Sequence, residues 1–549
     1  MNSIWTYIML ILYFGIIAFL GWLAYRRTSN DKDYLLAGGE VHPYLMAMAY
    51  GSTFISTAAI VGFGGVASLY GMGILWLTVL NIFVGIFIAF VFFGKRTRAM
   101  SKNMGAATFP ELMAKRFQSS LIQRFSAGLI FLAMPLYAAA VMIGAARFIE
   151  QTLQVNYTLA LVLFAVVVGI YVMTGGLKGV YYADAFQGTI MFFGMALLII
   201  ITYAKLGGIT GAHQSLTNMA ALVPESLVNQ GHRGWTSMPL FGSQIWWTLV
   251  STIVLGVGIG VLAQPQLAVR YMTVKSNREI NRAVAIGGVF ILFMTGVAMT
   301  VGSLTNVYFF ETMGQISLTA AIDPATNAPN IDRVIPLYIN SALPQWFSTL
   351  FMLVLISAAM STLSGQFHVM GTSLSRDLFS GINSNKSDKN ILIHRSGIVV
   401  ALTVTLLLAY QLPGGIIASA TAIFFGLCAT TFLPAYTASL YWKGVTKAGA
   451  ISSMIIGLSV SVLMFLFTHA KESTALGVSN LIFGKPVLVS FPWTVVDPLV
   501  IGLPVSAITL VIVSLLTQPM PQYHVDKCFD GIDATTSIAR GVAPQPASK

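Results

Sequence analysis

The residues best able to do chemistry in this chain are short hydroxyl side chains set inside apolar runs. The stretch from Ala49 to Gly65 (AYGSTFISTAAIVGFGG) lies in a run long enough to cross a bilayer. It nevertheless carries Ser52, Thr53, Ser56 and Thr57, then Gly62, Gly64 and Gly65. In hydrocarbon, loosened backbone is tolerated only where it is buried in protein or lines a cavity. Hydroxyls and glycines together therefore predict a helix that opens its own hydrogen-bond ladder to hold something small. A second stretch, Ser357 to Ser375 (SAAMSTLSGQFHVMGTSLS), sets Ser357, Ser361, Ser364, His368, Thr372 and Ser375 at steps of three and four, on one face of a helix.

The chemistry on offer is coordination of a hard cation. Sodium prefers oxygen ligands, and a membrane interior supplies two kinds: carbonyls freed where a helix unwinds, and Ser or Thr hydroxyls. Being neutral, both let the ion leave again. Ser361 and Thr362 are adjacent and Ala358 lies one turn earlier, so one carbonyl and two hydroxyls can converge on a point. The plainer alternative is that each hydroxyl bonds back to a carbonyl of its own preceding turn.

The surrounding elements are those of a membrane protein. Of 549 residues 56% are hydrophobic and 9% charged, where soluble domains carry about 25% charged residues. The net charge of +12 does not point to nucleic acid, because the basic residues fall between apolar segments as a topology signal does. Two cysteines, Cys428 and Cys528, provide neither a disulfide framework nor a cysteine metal cluster. The run Ile4 to Ala24 lacks a basic leader and a small-residue cleavage site, so it reads as a retained span starting outside and ending inside at Arg26 and Arg27.

Hydropathy predicts about 13 spans of roughly 20 residues. With the N-terminus outside, most of the 30 Lys and Arg residues fall inside, including a loop from Arg270 to Arg282, and the C-terminus is cytoplasmic. Residues 519–549 are expected to be a disordered cytoplasmic tail, too short for a further domain. Glycines interrupt the second span at Gly62, Gly64 and Gly65. The seventh span is interrupted at Gly256, Gly258 and Gly260, ahead of Pro265. Matched interruptions in two halves are the mark of an inverted-repeat secondary transporter, although glycines also permit close helix packing.

Several ordered motifs carry a family resemblance: DYLLAGG (Asp33 to Gly39), FISTAAIVGFGG (Phe54 to Gly65), GGLKGVYYADAFQGTIM (Gly175 to Met191), AQPQLAVRYM (Ala263 to Met272) and SAAMSTLSGQ (Ser357 to Gln366). On these the chain resembles the sodium:solute symporter family. The resemblance implies an all-α polytopic fold with a five-plus-five inverted-repeat (LeuT-type) core. An extra helix would lie at 1–30, the repeats at 31–206 and 207–443, and two further helices at 444–518. It also implies a sodium site made by the carbonyls of Ser52, Ile55 and Ala358 and the hydroxyls of Ser361 and Thr362. Substrate would bind beside it, near Ser56, Thr57 and Ala59 and near Gly256, Val257 and Gly260. The chain departs from the family's proline permeases, with Phe54 in place of an acid and Val257 in place of a tryptophan.

Among ionisable residues, Asp184 reads either as an N-terminal cap of the sixth span, with Gln187 one turn on, or, by the resemblance, as a carboxylate on the sodium exit route. Arg147 is placed to pair with Glu150, and Glu150 and Asp497 are expected to be solvated at outer span ends. His368 is the histidine well inside a span, where it is either packed and neutral or a proton carrier. The reading is a sodium-coupled symporter, not an enzyme, importing a small organic solute, with a lean to a monocarboxylate or pantothenate. Its alternatives are an amino-acid symporter such as one for proline, or a proton-coupled transporter depending on His368 or Asp184. An enzyme would need a convergent acid, base, nucleophile or metal set, and a channel a polar stripe repeated on several helices. Neither pattern is present in the sequence. Its partners are then sodium, the solute and the lipid bilayer.

Overall fold

A computed structural model describes residues 4–27, 36–39, 41–323, 326–378 and 387–532. The chain runs through α1 (Ile4–Arg27), α2 (Pro43–Phe54), α3 (Phe63–Tyr70), α4 (Leu75–Ile82), α5 (Lys95–Met104), α6 (Phe109–Phe117), α7 (Ser120–Leu153) and α8 (Tyr157–Lys205). It continues with α9 (Pro265–Met272), α10 (Asn277–Met313), α11 (Val334–Ala342), α12 (Gln345–Thr372), α13 (Ser387–Gln411), α14 (Ile417–Tyr441), α15 (Lys447–Phe467), α16 (Leu499–Leu516) and α17 (Gln522–Phe529). The wide-pitched run Ala58–Gly62 joins α2 to α3, and irregular helical turns from Gln244 lead into α9. Many starts are capped by the side chain the sequence supplies: Ser119 for α7, Asn156 for α8 and Thr446 for α15 each accept a first-turn N–H.

Among the described residues, eleven helical stretches are long and apolar enough to cross a bilayer, fewer than the about 13 expected from hydropathy. The difference is segmentation. Helical backbone runs from Ala58 to Met104 through the tight turn Gly71–Ile74, where the sequence divides two spans, and Tyr157–Met173 is short and continuous with the remainder of α8. Burial then separates core from rim. The window within Gln345–Leu378 is 94% buried, whereas those of α1, α15 and α16 are 22%, 33% and 28% buried. Helices apolar all round yet so little buried have only lipid left to face.

The two predicted helix breaks exist, but neither falls at the glycines. The first lies at Ile55, whose φ/ψ of −86/90 leaves the helix before backbone at Thr57 turns helical again. The glycines serve packing instead. A Cβ on Gly65 would stand 2.3 Å from the Ile331 carbonyl oxygen, and one on Gly302 would stand 2.2 Å from that of Gly64. The second break is at Gln264, φ/ψ −75/114. Proline forces that conformation on the residue before it, while Gly258 and Gly260 stay helical and lie against Leu80 and the Phe425 backbone.

Three further expectations are corrected. Asp184 does not open a helix; it sits inside the 49-residue α8. Asp497 is buried, with Oδ1 accepting the Leu499 N–H at 2.9 Å. Burial raises its carboxyl to about 6, against the pull of that N–H and of His469. The tail forms α17, which docks where Asn103 Nδ2 donates to the carbonyls of Cys528 and Asp530 and the Phe529 ring lies under Arg116. The rest of the tail, from residue 533, is outside the described residues.

Candidate functional site

Unwinding at Ile55 and Ser56 strips the last carbonyls of α2 of their usual N–H partners, an arrangement that apolar surroundings penalise unless another donor arrives. The donors come from α12. Ser361 Oγ donates to the Ser52 carbonyl at 2.9 Å, and Thr362 Oγ1 to those of Thr53 at 3.0 Å and Ser52 at 3.4 Å. Ser361 Oγ is also 3.3 Å from the Ala358 carbonyl. The structure thus brings together Ser52, Ala358, Ser361 and Thr362, with Ile55 at the break itself. The back-bonding alternative holds only in part, because the shorter Ser361 contact crosses between helices.

Thr53 links this knot to a buried ion pair. Its hydroxyl is 3.1 Å from the Ser361 carbonyl and 3.4 Å from Asp184 Oδ2. Arg270 Nη2 stands 2.9 Å from the same carboxylate oxygen and also donates to Thr53 Oγ1. Ser364 Oγ reaches Asp184 Oδ1 at 3.5 Å, and both charged side chains are essentially inaccessible, at 1% and 0% exposure. Arg270 stacks over Tyr181, and its Nε and Nη1 are buried without a partner among the described residues. Sequence reasoning missed Arg270 by assigning it to a cytoplasmic loop. The available signal was Pro265, which restarts a helix and carries Arg270 inward on its second turn. Gln187 turns away from Asp184, donating to Tyr13 at 3.2 Å, which in turn accepts from Ser357 at 3.0 Å.

Beside the first break lies a cavity of about 10 Å³, room for a single water. Ser56 and Ala59 line it, with Val257 from the second broken helix, Asn81 from α4, Tyr137 from α7, Thr295 from α10 and Thr421 from α14. Phe54 and Phe425 close it as a ring pair with centroids 6.5 Å apart. Thr57, Gly256 and Gly260 are not in its wall. The Thr57 hydroxyl donates to the Val141 carbonyl at 2.7 Å, and the two glycines sit against the backbone of α14. Elsewhere Arg147 pairs with Glu150 at 3.0 Å, and His368 packs edge-on against His394 at 5.2 Å.

Two helices broken in mid-span, one of them crossed by hydroxyls from an intact central helix, beside a cavity at the break, define a broken-helix secondary transporter. The sodium:solute symporter family model matches residues 34–457, and the chain belongs to that family. It is 30% identical over 444 residues to the sodium/pantothenate symporter of Haemophilus influenzae, covering 80% of this chain and 86% of that one. It is 28% identical over 488 residues to the osmoregulated proline transporter of Bacillus subtilis, covering 88% and 92%. Its fold matches that of a Na+-coupled sialic acid symporter in a substrate-bound outward-open state, with a TM-score of 0.72 at 19% identity over 95% of this chain and 99% of that one. The fold is the all-α inverted-repeat architecture expected from the sequence. The protein is a multi-pass membrane transporter, a sodium-coupled symporter of a small organic solute.

Proposed function

We propose that sodium binds where α12 crosses the first break, held by the carbonyls of Ser52, Ile55 and Ala358 and the hydroxyls of Ser361 and Thr362. The observation that carries this is the convergence of two α12 hydroxyls on the Ser52 carbonyl. A cation placed there replaces hydroxyl protons as the partner of those oxygens and ties α2 to α12. That favours the outward-open form and builds the solute site around Ser56, Ala59 and Val257. Sodium then leaves toward the cytoplasm past Asp184, with Arg270 as the charge that must first release that carboxylate. The repeats span 31–206 and 207–443, the N-terminus lies outside, the C-terminus lies in the cytoplasm, and the membrane is the inner membrane of a bacterial cell.

The solute is a small carboxylate, a monocarboxylate or pantothenate. Half-helix N-termini receive a carboxylate without a buried arginine, and a pantothenate symporter is among the relatives. Proline is the second reading, favoured by the proline transporter relative. The test is uptake by proteoliposomes of labelled acetate, pyruvate, pantothenate and proline under an inward sodium gradient with pH clamped equal on both sides. Sodium-driven accumulation of one carboxylate supports the reading. Accumulation driven only by a proton gradient overturns the sodium assignment and turns attention to His368.

A further inference from the structure

A second cleft opens between α1, α7, α11 and α12, at the ends that the proposed topology places outside. Its volume is about 350 Å³, enough for a small organic ligand. None of its residues lines the cavity at the first break. The wall is carboxamide and hydroxyl with a single leucine, and no Lys, Arg, His, Asp or Glu lines it. Its floor is buried, with Thr6, Ser348 and Thr349 at 3%, 5% and 5% exposure, while Asn340 and Gln345 stand exposed at the rim.

The hydrogen bonds define the kind of group that fits. Ser348 and Thr349 commit their protons to the carbonyls of Ile339 at 3.2 Å and Gln345 at 3.3 Å. With that proton committed, Thr349 is the acceptor for Thr6 at 3.1 Å. These three hydroxyls therefore offer the cleft lone pairs. One donor remains: Gln151 Nε2 is buried without a partner among the described residues. An amide donor left so is costly, and it is matched when a ligand brings an acceptor. A hydroxyl both donates and accepts, so several hydroxyls on one uncharged ligand answer this wall. An anion would meet oxygens, and a cation would find no carboxylate.

The geometry points to a second ligand site in this cleft, separate from the transported solute, that takes the vicinal hydroxyls of an uncharged polyol group. Such a group has two sources, a free sugar outside the cell or the glycerol headgroup of phosphatidylglycerol. Trp5 and Trp346, next in sequence to Thr6 and Gln345, are exposed as aromatic residues at a membrane interface are. Occupancy acts through α11. A Cβ on Gly64 would stand 2.8 Å from Ile335 Cγ1, so an occupant that holds α11 on α12 also restrains the helix beyond the first break. In this conformation the cavity at the break takes a single water. The occupant therefore slows the cycle without competing with the solute.

The experiment places the full-length protein in nanodiscs of phosphatidylethanolamine alone, with added phosphatidylglycerol, with added phosphatidylserine, or alone with sucrose in the buffer. Melting temperatures of the wild type are compared with those of Ser348→Ala and Gln151→Leu, the second serving alone if the first does not fold. The stabilisation that sugars give to any folded protein cancels in that comparison. Phosphatidylglycerol or sucrose should raise the wild-type midpoint at least about 2 °C more than that of the variants. A rise with phosphatidylglycerol alone assigns the site to the lipid headgroup, and a rise with sucrose alone to a free sugar. Equal rises with phosphatidylserine and phosphatidylglycerol mean that charge is recognised, which overturns the polyol assignment. Equal shifts in wild type and variants remove the site, whatever solute is transported. In proteoliposomes the effective probe should lower the maximal rate of sodium-driven uptake in the wild type and not in Gln151→Leu, with half-saturation by the solute unchanged. Binding without that loss of rate overturns the action through α11.

Discussion

At the scale of single residues, the site rests on side chains whose partners are distant in sequence. Ser361, Thr362 and Ala358 were legible because three neighbours on one helix face already suggest a shared point. The pairing of Asp184 with Arg270 was not, since 86 residues separate them and only the fold brings them together. Replacing both Ser361 and Thr362 by Ala should weaken sodium affinity at least about 10-fold, with α2 and α12 still packed. Sodium-dependent uptake titrated from low to high concentration reads this, and an unchanged half-saturation would remove the two hydroxyls from the cage. Arg270→Ala leaves a buried carboxylate without its cation, which costs about 3–5 kcal/mol, whereas the Asp184→Asn, Arg270→Gln double variant should recover much of that. Thermal unfolding in detergent compares them, and a single variant as stable as the wild type would mean that the pair is not energetically coupled.

Asp332 provides a pH test at the same scale. It is buried in the loop before α11, with Oδ2 near the Ile417 N–H at 3.5 Å at the start of α14 and Oδ1 unpartnered among the described residues. Burial raises its carboxyl to about 6, against the pull of the Ile417 and Gly415 N–H groups and the charges of Arg147 and Lys471. An acid whose folded pKa lies above its unfolded value binds more protons when folded. Its stabilising share is therefore complete below about pH 4 and is lost as pH rises through about 6. The melting temperature should rise between pH 7 and pH 5, and Asp332→Asn should flatten that slope; an equal slope in the variant would assign it to other groups.

At the scale of elements, the sequence places breaks in the correct two helices but at the wrong residues, for a physical reason. Glycine permits a bend without requiring one, and here the glycines allow close approach between helices. The first break has no proline or glycine of its own and depends on donors from α12, which no local pattern encodes. The second is set by Pro265, a local and legible cause. Gly65→Ala should therefore cost roughly 1–3 kcal/mol by overpacking against the Ile331 carbonyl. Gly128→Ala, whose added Cβ meets nothing within 4 Å, should be neutral or gain up to about 1 kcal/mol in helix propensity. Unfolding midpoints of the two variants decide it; equal destabilisation would mean that packing is not what holds Gly65.

At the scale of the whole molecule, composition and the long apolar runs yielded the class, whereas the rim of little-buried helices and the central place of the hydroxyl-bearing span emerged from burial in the fold. Composition did not yield α17 either, because a short amphipathic segment gains its stability from the surface it docks on. Cys528 is fully buried in that dock, with Sγ 3.2 Å from Met104 Sδ. It should resist maleimide in the native transporter and react at least about 10-fold faster once Phe529→Ala loosens the helix. Rapid labelling of the native protein would show that the helix stands away from α5.

The neutrality of the cage and of the cavity wall has an electrical consequence. Every proposed sodium ligand is a carbonyl or hydroxyl, no charged side chain lines the cavity, and Asp184 and Arg270 sum to zero. The loaded step then moves only the charge of its cargo. One sodium with a monocarboxylate crosses as a neutral pair and leaves no current, whereas one sodium with a zwitterion carries a full charge, worth about 2.3 kcal/mol per 100 mV. At one sodium per cycle, a voltage-clamp record would therefore report the net charge of the solute before the solute itself is identified.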